Sequence, residues 1–151
     1  MFVLTFKWTK RNAVLILLAV AALLSAVIIF AGVRGRSAIQ RGKNIRTNED
    51  RLAYLASMGW ECESEALREQ NVVIPQEFSG VFEEYNRLQK QQGFDLSRYA
   101  GLEAGLYQYK VLGYPSAGRS TVIAQLLILN YEVIGGDIHS TDFDGFMHGL
   151  R

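Results

Sequence analysis

An uninterrupted apolar stretch from Ala13 to Val33, AVLILLAVAALLSAVIIFAGV, constrains this chain more than any other feature. Its 21 residues carry no charge, and their one hydroxyl, Ser25, can bond to a helix's own backbone. A bilayer core asks for about 20 apolar residues in helical form, because backbone groups there find no water and must pair internally. The stretch predicts one N-terminal transmembrane helix, with everything after it on one side of a membrane. The chain then divides into a basic N-terminal tail (1–12), the transmembrane helix (13–33), a basic flexible linker (34–46) and a domain (47–151). A cleaved secretory signal would have an apolar core of about 7–15 residues and a small-x-small cleavage site. This core is longer, and Val33-Arg34-Gly35 is a poor site, so the stretch reads as an uncleaved signal anchor.

The formal net charge of +1 conceals an asymmetry. Residues 1–47 hold eight Lys and Arg and no acid, whereas residues 48–151 hold eight against fifteen acids, a net of −7. Phosphate binding needs a basic face, so the acidic domain argues against nucleic acid as a partner. The basic flanks suit anionic headgroups, which makes the lipid bilayer the partner of both helix and linker. Five basic residues follow the span (Arg34, Arg36, Arg41, Lys43, Arg46), against Lys7, Lys10, Arg11 and the amino terminus before it. Taken alone, that count leans slightly toward a cytoplasmic domain. The single cysteine, Cys62, rules out an internal disulfide and leaves the compartment open.

Within the domain, Thr47-Asn48-Glu49-Asp50 predicts a capped helix start with acids in the first turn, and Gly59 a stop. Residues 60–68 alternate acids with apolar side chains, as a half-exposed strand would, and Asn71 to Ile74 reads as a short strand halted by Pro75. From Gln76 to Gln92, Phe78, Val81, Phe82, Tyr85 and Leu88 recur at helical spacing, which predicts a core-facing stripe. Leu106 to Leu112 alternates, and Thr121 to Leu129 is almost wholly apolar, as in a strand covered on both faces. Asn130-Tyr131 forms a turn, and Gly135-Gly136 breaks or bulges the returning strand. The fold class expected is α+β, a small domain with two helices packed on one face of a mostly antiparallel sheet.

No motif assigns a catalytic, cofactor-binding or metal residue, and none of the zinc-protease, nucleophile-elbow or redox Cys-pair patterns occurs. Gly113-x-x-x-x-Gly118-Arg119-Ser120 resembles a phosphate-binding loop, but it carries Arg for Lys and a strand pattern comes after it. Ser140-x-Asp142-x-Asp144-Gly145 resembles half of a calcium loop whose twelfth position would be Arg151, so a tight turn is the better reading. Asp137, His139 and His148 could converge on a metal, although two His nine apart with one acid is a sparse ligand set. Cys62 beside Trp60 reads as a small buried hydrophobe.

Taken in order, MFVLTFK, the span, IRTNEDRLAYLASMGWEC, NVVIPQEFSGVFEEYNRLQKQQGFDLSRYAG and VIGGDIHSTDFDGFMHGL resemble a family of short single-pass membrane proteins. That family comes from low-GC Gram-positive bacteria and is known only as a domain of unknown function. The resemblance implies a shared fold and an anchored domain facing outward, and it supplies no activity. Two features depart from the family pattern: a shorter, more basic linker, and Asn130-Tyr131 where Asn-Gly is typical. Tyrosine tolerates positive φ badly, so this turn is not expected to be the tight two-residue type. The function expected is a membrane-anchored, non-enzymatic interaction or sensing domain, single-pass in the cell membrane, extracytoplasmic, with a protein partner. The rival is a small metal-dependent hydrolase using the Asp137 to His148 segment, which both histidines facing one pocket would favour.

Overall fold

The computed structural model describes residues 20–26, 41–115 and 120–151. The basic tail, most of the 13–33 stretch and residues 34–40 lie outside the described residues. Residues 20–26 are helical, and Ser25 Oγ donates to the Ala22 carbonyl at 2.9 Å, the local bond expected of an isolated hydroxyl in an apolar helix. Among the described residues, no helix is long and apolar enough to cross a membrane. The chain separates into two compact units, Met1–Ser37 and Ala38–Arg151.

In the second unit the elements run α1 (Asn48–Ser57), β1 (Arg68–Val73), α2 (Val81–Gln91), a short 3₁₀ turn (Leu96–Tyr99), β2 (Glu103–Lys110), β3 (Val122–Leu129), β4 (Glu132–Ser140) and β5 (Met147–His148). The five strands form one antiparallel meander in the order β1-β2-β3-β4-β5, so the α+β class stands. Central β3 is buried along both faces, as a run that is apolar except for Gln125 requires.

The arrangement of the helices differs from the sequence expectation. Tyr54 and Leu55 of α1 share a core with Tyr109, Val122, Ala124, Leu126 and Ile138. Tyr85 of α2 joins the other parity of the sheet, with Leu127, Ile134, Leu96 and Ala104. Because strand side chains alternate, the two helices cover opposite faces. A strand buried on both sides needs cover on both, and two helices on one face would leave Ile123 and Leu127 bare.

Helix α1 begins as its sequence indicates. Thr47 Oγ1 accepts from the Asp50 amide at 3.2 Å, and Asp50 accepts from the Thr47 and Arg46 amides at 3.0 and 2.9 Å. The box satisfies amides that would otherwise lack partners, and those backbone donors hold the Asp50 carboxyl below its usual range. Arg51 is buried beneath the Tyr107 ring at 4.0 Å and donates to the Tyr109 hydroxyl (2.6 Å) and to Glu69 (2.8 Å). These bonds tie α1 to β2 and to edge strand β1.

Other boundaries shift. Residues 41–46, assigned by sequence to the linker, pack onto the sheet: Ile45 is 2% exposed, its amide donates to the Tyr131 carbonyl, and the Val133 amide donates to the Gly42 carbonyl. Residues 60–67 form only an isolated bridge, Cys62 to Val111, before β1 starts at Arg68. The Asn130-Tyr131 turn is the tight two-residue type after all, with φ of 49° and 63° and Leu129 paired to Glu132. Tyr131 is held in that strained region by the Arg46 guanidinium over its ring at 4.3 Å and by the bond from Ile45. At Gly135 the returning strand bulges: Leu127 pairs with Gly135 and Ile128 with Val133, which leaves Ile134 as the extra residue.

The stripe on α2 is the largest correction. Val81 is 82% and Phe82 53% exposed, while the residues buried from this helix are Asn86 and Gln89. Asn86 accepts from the Leu96 amide at 2.8 Å and donates to Asp95, and Gln89 accepts from the Gly136 amide at 2.9 Å. These amide side chains peg the helix to the 3₁₀ turn through Asn86 and to the sheet through Gln89, one position round from its apolar stripe. Gly135 makes this possible, since a Cβ there would meet Leu96 at 3.1 Å and Gln89 Oε1 at 3.2 Å.

Candidate functional site

At its C-terminus α1 places an aromatic ring beside the sheet. Gly59 adopts φ +96°, its amide donates to the Ala56 carbonyl, and the Trp60 amide reaches back to the Leu55 carbonyl, all at the spacing of a Schellman motif. Trp60 therefore leaves the helix at a fixed angle, and its indole Nε1 donates to the Leu150 carbonyl at 2.7 Å. The next residues run along the end of β2, where the Glu61 carbonyl accepts from the Leu112 amide at 2.8 Å and the Glu63 amide donates to the Lys110 carbonyl at 2.9 Å. Beyond Val111 the chain turns at Gly113 and delivers Tyr114. Strand β5 brings His148 from the other side by pairing with Ile138.

These rings converge. Trp60 and Tyr114 lie near-parallel with centroids 6.0 Å apart, Phe146 stacks on Tyr114 at 4.8 Å, and His148 stands 5.7 Å from Trp60 and 5.6 Å from Phe146. Trp60, Tyr114 and His148 line a cavity of about 720 Å³, together with Glu61, Leu112 and Arg151. The Tyr114 hydroxyl meets His148 Nε2 at 3.0 Å, and His148 Nδ1 donates to the Gly149 carbonyl at 2.6 Å. With Nδ1–H given to that carbonyl, the ring's one lone pair is on Nε2, where it faces the Tyr114 hydroxyl.

Asp137 and His139 lie elsewhere. Asp137 is fully buried on the α2 face, where its Oδ2 accepts from the Tyr85 hydroxyl (2.6 Å) and from Gln125 (3.1 Å). Its Oδ1 faces His139 Nδ1 at 2.7 Å. Burial, and then the neighbouring carboxylate, push the Tyr85 hydroxyl far above its usual range, so it keeps its proton and donates. The sequence candidates Asp137, His139 and His148 are thus not brought together: β4 residues 138 and 139 point to opposite faces, and His148 pairs with the former. Among the described residues, no group of three His, Cys, Asp or Glu is placed to hold a metal ion.

The remaining motifs resolve in turn. Gly118 and Arg119 lie outside the described residues, and strand β3, rather than a helix, begins at Val122, just after Ser120. Residues 140–145 make a turn in which the Gly145 amide donates to the Asp142 carbonyl and Ser140 Oγ accepts from the Asp142 amide. Cys62 is half-buried, and burial followed by the Glu61 charge pushes its thiol up to about 11, so no thiolate forms near neutrality.

Residues 54–138 match the family described as a domain of unknown function, DUF4830. The chain belongs to this family. The matched stretch includes Trp60, Glu61, Tyr114, Tyr85 and Asp137, whereas Phe146, His148 and Arg151 lie beyond its end. No curated protein and no solved structure matches the chain. The aromatic convergence escapes sequence reading because its four rings come from three separated segments. One local signal existed, Trp60 directly after the helix-ending Gly59.

Proposed function

We propose that this DUF4830 protein is a membrane-anchored recognition domain, held outside the cell by residues 13–33, whose ligand enters the aromatic cleft. The observation that carries this reading is the cavity of about 720 Å³ walled by Trp60, Tyr114 and His148. Ligand sites are concave, largely apolar and aromatic, and carry a few placed polar groups. Here the polar groups are Glu61 and Arg151. The apolar Ala13 to Val33 stretch supports the anchor, and its length suits a bilayer. The outward orientation is supported by the compact cluster Lys7, Lys10 and Arg11 directly before the span.

The full chain in maltoside micelles should be screened against small-molecule fragments while the two indole N–H signals are followed by NMR. Binding fragments are expected to move the Trp60 signal and leave Trp8 still. No perturbation of Trp60 across a broad library, or hits confined to the α2 face, would remove the cleft as the site. In native membranes the chain should resist alkaline carbonate extraction. Release into the soluble fraction would remove the anchor.

A further inference from the structure

We infer that the cleft recognises an organic cation, a quaternary or methylated ammonium group. This inference rests on the cleft being a binding site and adds the class of ligand. Three observations lead to it. First, the polar atoms of the lining rings are already engaged: Trp60 Nε1 by the Leu150 carbonyl, Tyr114 and His148 by each other, and His148 Nδ1 by the Gly149 carbonyl. What Trp60 and Tyr114 offer an occupant is therefore ring carbon rather than a hydrogen bond. Electron-rich ring faces attract cations, tryptophan most strongly, and sets of such rings are the usual receptacle for alkylated ammonium groups.

Second, the cavity carries its own counter-charge in the Glu61 carboxylate. The backbone around Glu61 is fixed by the bond from Leu112. Arg151, the opposing charge, also lines the cavity, with its Nε against the Met58 sulfur at 3.4 Å, so the Glu61 carboxylate and the ring faces must outweigh it. Third, the compact unit Ala38–Arg151 holds eleven Lys and Arg against fifteen acids, a net charge of −4, which raises the local concentration of a cation and disfavours an anion. A neutral sugar or a flat apolar molecule could use the rings, but neither would draw on the second and third features.

The test is a titration of the full chain in maltoside micelles with choline, its neutral carbon isostere 3,3-dimethylbutan-1-ol, glycerophosphocholine and an N-acetylated hexosamine. Since the chain has two tryptophans, a Trp8→Phe background makes Trp60 the sole reporter of fluorescence. Choline should bind at least about fivefold more tightly than the isostere at low salt, in keeping with a cation–π contribution. Glu61→Gln should weaken choline about threefold and Arg151→Ala should tighten it about twofold, both effects fading as salt rises. Preference for glycerophosphocholine over choline would identify a lipid headgroup as the source, and the reverse a free ammonium compound. Equal binding of choline and the isostere, or no response to Glu61→Gln, would overturn the cation and leave the cleft as a binding site. The same holds if the hexosamine alone moves Trp60 fluorescence. If none of the four compounds moves it, the cation inference falls, and the fragment screen decides whether the cleft binds anything.

Discussion

His139 and His148 stand nine residues apart in sequence and are put to opposite uses. His139 closes a polar network, with its Nδ1 on the buried Asp137 carboxylate that also collects Tyr85 and Gln125. His148 is one wall of an open cavity, stacked among Trp60, Tyr114 and Phe146. The difference arises from strand parity, since residues 138 and 139 face opposite sides of β4 and each carries its β5 partner with it. Where polar groups satisfy one another in the interior they hold the fold together. Where their polar atoms are tied off at a rim, carbon faces are left to meet something else.

Breaking the closed side should have the larger effect. Asp137→Ala orphans the Tyr85 hydroxyl, Gln125 and His139 within a buried region and should cost about 3–5 kcal/mol, a large share of a small domain's stability. Thermal or urea unfolding checks this, and a loss under about 1 kcal/mol would mean the network is solvated and the contrast between the two histidines is false. A much smaller effect is expected on the outer side of α2. Phe82 is 53% exposed, so Phe82→Ala should change stability by less than about 1 kcal/mol. A loss above about 3 kcal/mol would mean the α2 stripe is core and that Asn86 and Gln89 do not anchor this helix.

Much of the fold was legible where one local rule acted alone. The Thr47 box, the Gly59 stop, the doubly covered β3 and the bulge at Gly135 all arise from side-chain chemistry within a few residues. The phase of α2 was not, because a helical wheel ranks Phe82 above Gln89 and cannot see that Gly136 presents an amide for Gln89 to accept. The Asn130-Tyr131 turn misled for a related reason. Its strain is offset by Arg46 and Ile45, more than eighty residues earlier in the chain. Of the cleft, only His148 stood out as chemistry-bearing, and it did so under the wrong heading, as a metal ligand.

The central claim is that recognition occurs at His148 and its neighbouring rings, while His139 serves the interior. The chain has two histidines, so their ring nitrogens can be followed one by one in long-range ¹⁵N NMR spectra of the full chain during a choline titration. The account predicts that the His148 signals move in a saturable way and that those of His139 stay in place. Movement at His139 with His148 unchanged would contradict it and return attention to the Asp137 side of the sheet.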